Sequence, residues 1–376
     1  MTFNKKRILI TGASGFIGKN LRLKLLEDPH LEVKSFTRDT DIKLKECIFY
    51  ADTIVHLAGV NRPNDEWEFE KDNVDLTRKI CALILEKYRL KNEKTRIILA
   101  SSYQATNNTV YGQSKGKAER LVIELNDKLE NVGIIFRLPG VFGKFCKPNY
   151  NSVVATFCYN IINGIPLLVS DRKKKLNLAY IDDVAEEFEA AIKIENPNSI
   201  YEKVNATYEL SIGQLAKKIS DFHKDRSSLQ VAKVGNGLDR ALYATYLSYQ
   251  PPTEFSYKLK NNIDHRGNFA EILKTKDGGQ VSIFTSAPGI TRGNHYHNTK
   301  SEKFLVVSGE ALFEFKNIAD GRDYKKTSTS SNYEIIETIP GWAHKITNVG
   351  ESELTVLVWA NEVFDKARPD TIKMDF

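Results

Sequence analysis

Short, almost continuously apolar runs alternate with segments of helical periodicity along the first 140 residues. The apolar runs are RILIT (7–11), LEVKSF (31–36), TIVHLAG (53–59), RIILASS (96–102) and GIIFRL (133–138). Helical periodicity fills the intervals, as in NVDLTRKICALILEKY (73–88) and YGQSKGKAERLVIELNDKLE (111–130). Strands that are apolar on both faces are typical of a parallel sheet covered by helices on both sides. The first part of the chain is therefore predicted to be an α/β domain with a doubly wound parallel sheet.

The pattern changes at residues 246–257, where YLSYQPPTEFSY combines two prolines with aromatic side chains and has no helical period. Beyond it, short strand-like runs follow one another between turn-rich stretches, among them QVSIFTS (280–286) and ELTVLVWA (353–360). Such spacing is typical of an all-β sandwich or barrel. We therefore predict an α/β domain over residues 1–245, a docked linker over 246–257 and an all-β domain over 258–376.

Composition limits the classes of partner. Apolar residues make up 41% and charged residues 27% of the chain, which excludes a wholly disordered or collagen-like protein. A formal net charge of +6 over 376 residues does not single out nucleic acid, but it suits a small anionic ligand such as a nucleotide. The four cysteines have no paired spacing, and no apolar run approaches the roughly 18 residues of a membrane span. We expect a cytoplasmic protein that binds neither nucleic acid nor membrane.

A glycine-rich loop, TGASGFIG (11–18), joins the first predicted strand to a predicted helix. Gly12 permits a tight turn, Gly15 allows the backbone to approach a pyrophosphate, and Gly18 allows the helix to pack closely. The amino end of that helix then faces the phosphates with its unpaired N–H groups. The pattern indicates a dinucleotide site of the Rossmann type; the alternative is a tight turn without a ligand.

The residue at the end of the second strand distinguishes NAD from NADP. An acidic residue there would bind the ribose 2′-hydroxyl, which indicates NAD. The segment KSFTRDT instead has Arg38 at this position, with Asp39 beside it. A guanidinium can bind a 2′-phosphate, so NADP(H) is favoured; the alternative is an ordinary surface arginine.

Tyr111 and Lys115 are four residues apart and share one face of a predicted helix. A ketone that accepts a hydride becomes an alkoxide and needs a proton, which a tyrosine hydroxyl can supply. A neighbouring ammonium lowers the pKa of that hydroxyl and can hold the nicotinamide ribose. Ser102, at the end of a predicted strand, could hydrogen-bond the same oxygen. These three residues are candidate catalytic groups, although a tyrosine and a lysine at this spacing also occur by chance.

Taken together, these residues resemble the extended short-chain dehydrogenase/reductase family, whose members act mainly on nucleotide sugars. The likeness covers residues 7–240 and rests on TGASGFIG, Asp52 with HLAG (56–59), NVDLT (73–77), Ser101–Ser102, Tyr111, Lys115, RLPGVFG (137–143) and YIDDVA (180–185). It implies cofactor contacts from Gly12, Gly15, Phe16, Ile17, Gly18, Asp52, Leu57, Ala58, Gly59, Tyr111, Lys115 and Arg137. It also implies substrate contacts from Asn73, Asn149 and Asn151, of which the last two could equally serve a backbone turn.

Two features depart from the family pattern. Gly140 stands where the family usually has asparagine, and only nine residues separate Ser102 from Tyr111, where the family has a longer loop. Because this connection is short, it covers the substrate side of the predicted site less than the family's longer loop does. Another part of the chain could cover that side instead. The basic run RKKK (172–175) lies where such enzymes grip the nucleotide diphosphate, and we favour a solvated loop there.

Four of the seven histidines occur in the last 112 residues. His295 and His297 are two apart, so on a strand they point to the same face, and Glu302 follows across a turn. His344 comes later, in PGWAHKITN. Three imidazoles and one carboxylate suit a divalent transition metal, most simply Zn²⁺, with Mn, Fe or Ni as alternatives. We predict that these four residues bind a metal rather than form a chance surface cluster.

The same stretch resembles the cupin family. Its first motif is matched at every spacing by Gly289, His295, His297, Glu302 and Gly309, and a shortened second motif is matched by Gly341, His344 and Asn348, with Ile339 in place of the usual proline. The resemblance implies an all-β cupin barrel that carries a metal site.

DHRGNFAE (264–271) and TRGNHYH (291–297) also resemble segments of the 4-keto-6-deoxy-sugar 3,5-epimerases. This likeness implies substrate contacts, and the matching residues are Arg266, Phe269, Glu271 and Arg292. Salt bridging and packing explain these residues equally well. In those enzymes a histidine removes a proton beside the ketone. Here the matching His295 is assigned to the metal, so the base must be another group or the metal must contribute more.

The order of the two domains resembles the bifunctional capsular-polysaccharide reductase/epimerases of the UDP-N-acetylfucosamine pathway, over essentially the whole chain. The resemblance implies a homodimer in which the cupin domain epimerises C3 of a UDP-4-keto-6-deoxy-N-acetylhexosamine and the first domain reduces the C4 ketone with NADPH. The product would be a UDP-2-acetamido-2,6-dideoxy-L-talose-type precursor of UDP-L-FucNAc. The alternative is a reductase whose cupin domain is a structural or dimerisation module with a structural metal.

Overall fold

The computed structural model describes residues 5–37, 43–197, 199–254, 258–298, 300–318, 321–331, 333–338, 342–367 and 369–376. The chain forms two compact units. The first joins Met1–Ser220 to Asn236–Gln250, and the second joins Asp221–Gly235 to Pro251–Phe376. The chain therefore enters the second unit at Asp221, returns to the first at Asn236 and leaves it again at Pro251.

A parallel sheet forms the centre of the first unit. Its strands are β1 (Lys6–Thr11), β2 (Leu31–Phe36), β3 (Thr53–His56), β4 (Arg96–Ser102), β5 (Gly133–Leu138) and β8 (Tyr201–Glu202). They lie in the order β2-β1-β3-β4-β5-β8, and every neighbouring pair is parallel. The carboxyl ends of all these strands therefore meet at one edge. The strand order reverses between β1 and β3, which is the position where open α/β sheets bind ligands.

Helices connect these strands along the chain. They are α1 (Phe16–Leu25), α2 (Leu44–Tyr50), α3 (Trp67–Phe69), α4 (Leu76–Lys91), α5 (Val110–Leu129), α6 (Val153–Ile162), α7 (Ile181–Lys193), α8 (Ile212–Ser227) and α9 (Gly237–Leu247). A π-helical segment, Glu70–Asp75, leads into α4, and 3-10 turns cover Tyr103–Thr106 and Pro252–Glu254. The Thr109 side chain accepts a hydrogen bond from the backbone N–H of Gly112 at 3.0 Å, which fixes the start of α5.

The core of the first unit lies on both faces of the sheet. Ile8 and Ile10 of β1 are fully buried against α1 and α7 on one face. Leu9, between them, points to the opposite face, where it packs with buried residues of α2, α4 and α5. Alternate side chains of one strand thus enter two separate apolar clusters, because successive side chains of a strand point to opposite faces. The predicted doubly wound parallel sheet is confirmed.

A smaller sheet completes the first unit. Its strands are β6 (Gly140–Phe142), β7 (Lys175–Tyr180) and β9 (Tyr208–Ser211), in the order β6-β7-β9. The basic run at residues 172–175 is exposed to solvent, in agreement with the solvated loop that the sequence favoured.

The second unit consists mainly of β-strands. They are β10 (Gln230–Val231), β11 (Asn261–Asp264), β12 (Gly267–Thr275), β13 (Gly279–Ser286), β14 (Thr291–Tyr296), β15 (Glu302–Ser308), β16 (Glu310–Asn317), β17 (Asp323–Thr329), β18 (Ile335–Thr338), β19 (Trp342–Asn348), β20 (Leu354–Ala360) and β21 (Ile372–Lys373). One sheet has the order β10-β12-β13-β20-β15-β18, with β11 also paired to β12, and the other has the order β17-β16-β19-β14-β21.

The two sheets of the second unit share one core. Ala311, Phe313 and Phe315 are alternate residues of β16, and all three are buried. They join Phe304 and Val356, which belong to the other sheet, in a single apolar cluster. The predicted fold class, an α/β domain followed by an all-β domain, is confirmed.

The structure draws the division of the chain differently from the sequence. Residues 221–235 group with the second unit, where β10 pairs with β12 and the backbone N–H of Lys274 donates to the carbonyl of Leu229 at 2.7 Å. A strand of two residues is too short for its periodicity to be read. Helix α9 runs to Leu247, inside the segment predicted as a linker, and residues 255–257 of that segment lie outside the described residues.

Within the described ranges, no helix has the length and apolar character that crossing a membrane requires.

Candidate functional site

The glycine loop lies at the carboxyl edge of the parallel sheet, between the end of β1 and the start of α1. Gly12 has φ +72°, and a Cβ atom there would lie 2.7 Å from the backbone N of Ala58, in the loop that follows β3. A Cβ at Gly18 would overlap the carbonyl oxygen of Gly12. These two positions therefore require glycine, because the loop folds back on its own helix and against the next strand. Gly15 is exposed, which leaves room for a ligand at the amino end of α1.

The residues after β3 continue the same edge. The backbone N–H of Leu57 donates to the carbonyl of Thr11 at 3.2 Å, so Leu57 and Ala58 lie beside the glycine loop. A Cβ at Gly59 would lie 2.5 Å from Oδ1 of Asn73 and 3.5 Å from Nζ of Lys115. This edge therefore brings together most residues predicted to hold a dinucleotide, with Phe16 and Ile17 half-buried in the first turn of α1. Arg38, predicted to bind the 2′-phosphate, lies outside the described residues.

Asp52 lies at the wrong end of its strand to bind this cofactor. It precedes β3 and is therefore at the amino edge of the parallel sheet, opposite the glycine loop. Its carboxylate accepts hydrogen bonds from the backbone N–H of Arg7 at 2.8 Å and from the Arg7 guanidinium at 2.5 Å. The predicted cofactor contact of Asp52 is wrong; the residue joins β1 to β3.

Asn73 is a structural residue rather than a substrate ligand. Its amide is buried within the π-helical segment; Oδ1 accepts from Val60 N–H at 2.8 Å, and Nδ2 donates to Val60 O at 3.0 Å and to Ser114 Oγ at 2.9 Å. Both amide protons are thus used inside the protein. The predicted substrate contact is corrected: Asn73 fixes the loop after β3 against α5.

Ser102, Tyr111 and Lys115 converge at the same edge of the sheet. Ser102 ends β4, Tyr111 and Lys115 occupy the first two turns of α5, and the Ser102 side chain acts on the pKa of the Tyr111 hydroxyl. The buried Lys115 Nζ donates to the carbonyl of Ala100 at 3.0 Å. The Tyr111 ring lies 5.9 Å from the ring of Phe69, which covers it from the side of α3. The predicted reductase residues are therefore brought together.

Burial sets the ionisation of these groups. It raises the pKa of Tyr111, and the neighbouring Ser102 side chain opposes that rise. Burial lowers the pKa of Lys115 to about 8, although the negative charge of Glu119 opposes the shift. A lysine with a pKa near 8 is still mainly cationic at pH 7. A neutral hydroxyl and a lysine cation thus occupy adjacent turns of α5, which is the combination that donating a proton to an alkoxide requires.

The short connection between Ser102 and Tyr111 is packed tightly on α5. A Cβ at Gly112 would overlap the carbonyl oxygen of Gln104, and a Cβ at Gly116 would lie 2.9 Å from that of Ala105. Two glycines one helical turn apart therefore form a flat surface on which the 3-10 turn rests. Sequence analysis did not identify them as part of the site. Their spacing, directly after a short loop, is the feature that could have indicated this role.

Arg137 has a protein partner. Its guanidinium binds the carboxylate of Glu119 at 2.6 Å and lies 4.5 Å from the ring centroid of Tyr201. Glu119 is almost completely buried, and it also accepts a hydrogen bond from Ser101 Oγ at 2.5 Å. The carboxyl end of β5 is thereby joined to α5. The cofactor contact of Arg137 stays a prediction.

Asn149 and Asn151 lie on an exposed turn before α6. Asn149 has φ +55°, and its backbone N–H donates to Thr156 Oγ1 at 2.9 Å. This left-handed conformation gives Asn149 the turn role that the sequence left open. A substrate contact of either side chain stays a prediction.

In the second unit, His295, His297, Glu302 and His344 form one cluster. One ligand atom from each residue lies within 4.8 Å of the others. His295 pairs across the sheet with His344, and Glu302 begins β15. Glu302 Oε2 lies 3.2 Å from Nε2 of His297 and 3.4 Å from Nε2 of His344. The four predicted metal ligands thus converge from three strands and from His297, the residue that follows β14.

The chemistry of this cluster fits a divalent transition metal. Burial and the neighbouring imidazoles lower the pKa of His295 to about 4, so this ring is in the neutral form that binds metals. Burial raises the pKa of the Glu302 carboxyl, but the adjacent His297 and His344 side chains outweigh burial and hold this pKa below its usual range. His344 Nδ1 is buried without a hydrogen-bond partner in the described part of the chain. Three imidazole nitrogens and one carboxylate suit Zn²⁺.

The remaining candidate contacts of the second unit all have protein partners. Arg266 binds Asp264 at 2.6 Å in the turn between β11 and β12, and Glu271 binds Lys274 at 2.7 Å. Arg292 Nε donates to Ser286 Oγ at 3.0 Å. Phe269 packs at the margin of the apolar core. These contacts are the salt bridging and packing that the sequence left as the alternative, and the substrate contacts stay predictions. Gly341 and Ile339, which the cupin comparison used, lie outside the described residues.

Two family models match the chain. The model described as the NAD dependent epimerase/dehydratase family matches residues 8–206, and the one described as the polysaccharide biosynthesis C-terminal domain matches residues 262–372. Among curated proteins, the chain is 46% identical to the UDP-2-acetamido-2,6-beta-L-arabino-hexul-4-ose reductase of Pseudomonas aeruginosa, over 97% of both chains. It is also 26% identical, over 30% of its own length and 82% of the relative's, to the spore coat polysaccharide biosynthesis protein SpsL of Bacillus subtilis.

Solved structures extend these similarities to the whole fold. The capsular polysaccharide assembling protein CapF from Staphylococcus aureus matches with a TM-score of 0.90 and 39% identity, over 98% of this chain and 100% of that one. The UDP-glucuronic acid 4-epimerase of Bacillus cereus shares the fold of 65% of this chain, at 17% identity and a TM-score of 0.54. The chain therefore belongs to the NAD dependent epimerase/dehydratase family, within the CapF-type proteins in which that domain is followed by a polysaccharide biosynthesis C-terminal domain.

Proposed function

We propose that this protein is an NADPH-dependent reductase of a UDP-linked 4-keto-6-deoxy-N-acetylhexosamine and that its metal-bearing domain first epimerises C3. The observation that carries the reductase is the convergence of Ser102, Tyr111 and Lys115 beside the glycine loop. The Pseudomonas aeruginosa relative is named as a reductase of a UDP-linked hexul-4-ose, and this supports the substrate class. The product would be a UDP-2-acetamido-2,6-dideoxy-L-talose-type precursor of UDP-L-FucNAc for capsular polysaccharide.

Each residue of the reductase site has a role that follows from its position. Tyr111 donates its hydroxyl proton to the ketone oxygen, and Ser102 hydrogen-bonds the same oxygen. Lys115 stabilises the tyrosinate that forms, because its ammonium is buried one helical turn away. The bound nicotinamide supplies the hydride. Its dinucleotide would lie along Gly12, Gly15 and Gly18 at the amino end of α1, with Arg38 on the 2′-phosphate.

The metal site would serve the epimerisation. His295, His297, Glu302 and His344 would hold Zn²⁺ or a related ion, which polarises the ketone and so acidifies the neighbouring C–H. A C3 proton is acidic only while C4 is a ketone, because the carbanion needs the enolate. Reduction removes that activation, so epimerisation must come first. Arg266, Phe269, Glu271 and Arg292 are the proposed sugar contacts.

One observation favours a second reading of the metal domain. The ligand set has four protein residues, and closed sets of four are usual in structural zinc sites. The domain would then be a structural or dimerisation module of a homodimeric reductase. The two readings differ in what the domain does to the C3 proton.

The deciding experiment is NMR of the full-length protein with a UDP-4-keto-6-deoxy-N-acetylhexosamine in deuterated water. Without NADPH, we expect deuterium to enter C3 while the ketone remains. With NADPH, we expect loss of the ketone and a reduced sugar that carries deuterium at C3. Reduction without exchange at C3 would support the structural reading of the metal domain. Absence of both reactions would contradict the proposed function.

A further inference from the structure

The last residues of the chain form an edge strand beside the metal cluster. In β21, Lys373 pairs with His295 and Ile372 pairs with Tyr296, both of which belong to β14. The backbone N–H of Met374 donates to the carbonyl of Asn294 at 2.9 Å. The chain terminus is thus hydrogen-bonded along the strand that carries His295 and leads directly to His297.

Asp370, just before this strand, holds His297 and two backbone N–H groups that follow it in the chain. Its backbone carbonyl lies 2.5 Å from Nδ1 of His297. Its carboxylate accepts hydrogen bonds from the backbone N–H groups of Asn298 at 3.0 Å and Lys300 at 2.9 Å. One residue therefore binds both the ring of a metal ligand and the backbone next to it.

The carbonyl of Asp370 decides which nitrogen of His297 binds a metal. A carbonyl oxygen can only accept, so Nδ1 must carry the proton. Nε2, which faces Glu302 at 3.2 Å, then keeps its lone pair for a metal. A hydrogen-bond partner can fix the tautomer and the ring plane of a ligating imidazole. This raises metal affinity, because the ligating nitrogen already points toward the metal position before the metal binds.

The carboxylate of Asp370 fixes the orientation of the backbone carbonyl group of the same residue. Asp370 has φ +36°, a left-handed conformation that aspartate tolerates better than most residues. Its two hydrogen bonds, from the backbone N–H groups of Asn298 and Lys300, hold the peptide group in this orientation. The strand itself is anchored elsewhere, because Lys345 Nζ donates to the carbonyl oxygen of Phe376 at 2.5 Å. Loss of the carboxylate should therefore release the orientation of residue 370 without detaching the terminal strand.

We infer that Asp370 is a positioning residue for the metal site, and that the C-terminal strand exists in part to orient His297 through it. This inference rests on the metal site of the proposed function. Residues other than the four ligands would thus determine the tautomer and the ring orientation of one ligand, His297. The segment that does so lies 73 residues further along the chain than His297.

The test compares Asp370→Ala and Asp370→Asn in the full-length protein, with Asp375→Asn, at an exposed position of the same terminal segment, as the matched control. Zn²⁺ affinity is measured by competition with a chromophoric chelator. Removal of such an outer partner lowers metal affinity about 10–100-fold. We expect that loss in Asp370→Ala, a smaller loss in Asp370→Asn, which keeps one acceptor oxygen, and no change in Asp375→Asn. Wild-type affinity in Asp370→Ala would overturn the inference.

A second measurement separates positioning from folding and does not need the metal. In chelator-treated protein, the ¹⁵N shifts of the His297 ring should show a proton on Nδ1 in the wild type and a mixture of tautomers in Asp370→Ala. The two metal-free proteins should melt within a few degrees of each other. A much lower melting temperature of metal-free Asp370→Ala, or an unchanged tautomer, would contradict a positioning role. Absence of C3 exchange with normal Zn²⁺ binding would contradict the proposed epimerase and leave this inference standing.

Discussion

Glu119 lies one helical turn beyond Lys115 on the same face of α5, and its charge opposes the loss of the lysine proton. The carboxylate is buried and bound by Arg137 at 2.6 Å. Burial alone would favour a neutral Lys115, which could not stabilise a tyrosinate. The pair formed by Glu119 and Arg137 therefore belongs to the support of the reductase site, although neither residue is part of the Ser102, Tyr111 and Lys115 group.

Replacing Glu119 by Gln should move the alkaline limb of the reductase pH profile to lower pH. The substitution removes the charge that raises the pKa of Lys115 and leaves the positive charge of Arg137 unpaired, so both effects favour the neutral lysine. Since the pKa of Lys115 is about 8 in the wild type, activity should begin to fall below that pH. The measurement is kcat/KM for reduction by the wild type and by Glu119→Gln, from about pH 6 to about pH 9, and the pH at which activity falls is compared.

Glu124→Gln, on an exposed position of the same helix, controls for the loss of a charge. It should leave the profile unchanged. Loss of the ion pair between the buried Glu119 and the half-buried Arg137 should also lower the free energy of unfolding of Glu119→Gln by about 1–3 kcal/mol. An unshifted profile in a folded Glu119→Gln protein would show that Glu119 does not support Lys115.

Tyr111→Phe should abolish reduction and leave deuterium exchange at C3 intact. Proton donation to the alkoxide belongs to the first unit and enolisation to the second. General acid catalysis is worth about 100–10,000-fold, and the ketone should persist accordingly. The two rates are read from NMR in deuterated water, with Tyr103→Phe as a control for loss of an exposed hydroxyl. Simultaneous loss of exchange in a folded Tyr111→Phe protein would refute this division of labour.

Arg38→Ala should remove a preference for NADPH over NADH. Loss of a charge-assisted contact to the 2′-phosphate costs about 1.5–3 kcal/mol, or roughly 10–150-fold in kcat/KM for NADPH. The value for NADH should hardly change. Arg22→Ala, at an exposed position of α1, tests whether the loss of one positive charge has the same effect. Equal kcat/KM for both cofactors in the wild type would be incompatible with this prediction.

His344→Ala distinguishes a catalytic metal from a structural one. Removal of a catalytic ligand mainly loses polarisation of the ketone, whereas removal of a structural ligand loses folding free energy. We expect the variant to lose its metal, to melt within a few degrees of the wild type and to fail in C3 exchange while still binding NADPH. His265→Ala, an exposed histidine of the same unit, should behave as wild type.

The opposite result for His344→Ala has a clear meaning. If the variant loses several kcal/mol and its folded fraction still exchanges deuterium at C3, the metal is structural. Metal analysis of the wild type precedes this test, and one ion per chain is expected. A wild-type protein without metal would contradict both the catalytic and the structural role of the metal.

Gly112→Ala should slow reduction without preventing NADPH binding. The new Cβ would overlap the carbonyl oxygen of Gln104 and lie 2.7 Å from that of Asn107, so the 3-10 turn between Ser102 and Tyr111 must move. Overpacking of this kind usually costs about 1–3 kcal/mol. The kcat for reduction and the Kd for NADPH are measured. In Gly235→Ala, where no atom lies within 4 Å of the new Cβ, neither should change. An unchanged kcat in Gly112→Ala would show that the tight packing has no catalytic consequence.

Several features of the fold and of both sites were predictable from sequence because they are repetitive or closely spaced. Strands β4 and β5 begin and end at the predicted residues, since continuous apolar runs between turns leave little freedom of assignment. Gly12 and Gly18 could be identified because a tight turn demands glycine at fixed intervals. The convergence of His295, His297 and Glu302 followed from strand geometry over eight residues.

The sequence by itself therefore determined the order of the elements, the fold class and those functional residues that lie close to one another along the chain. The tertiary structure alone decided which polar groups meet across the chain. It placed Asp52 at the amino edge against Arg7, enclosed the Asn73 amide, joined Glu119 to Arg137 and brought Asp370 to His297. These contacts join residues from 18 to 73 positions apart. A local pattern records the period of a strand or helix, but it does not record which distant partner satisfies a buried charge or amide, because that depends on how the finished elements pack.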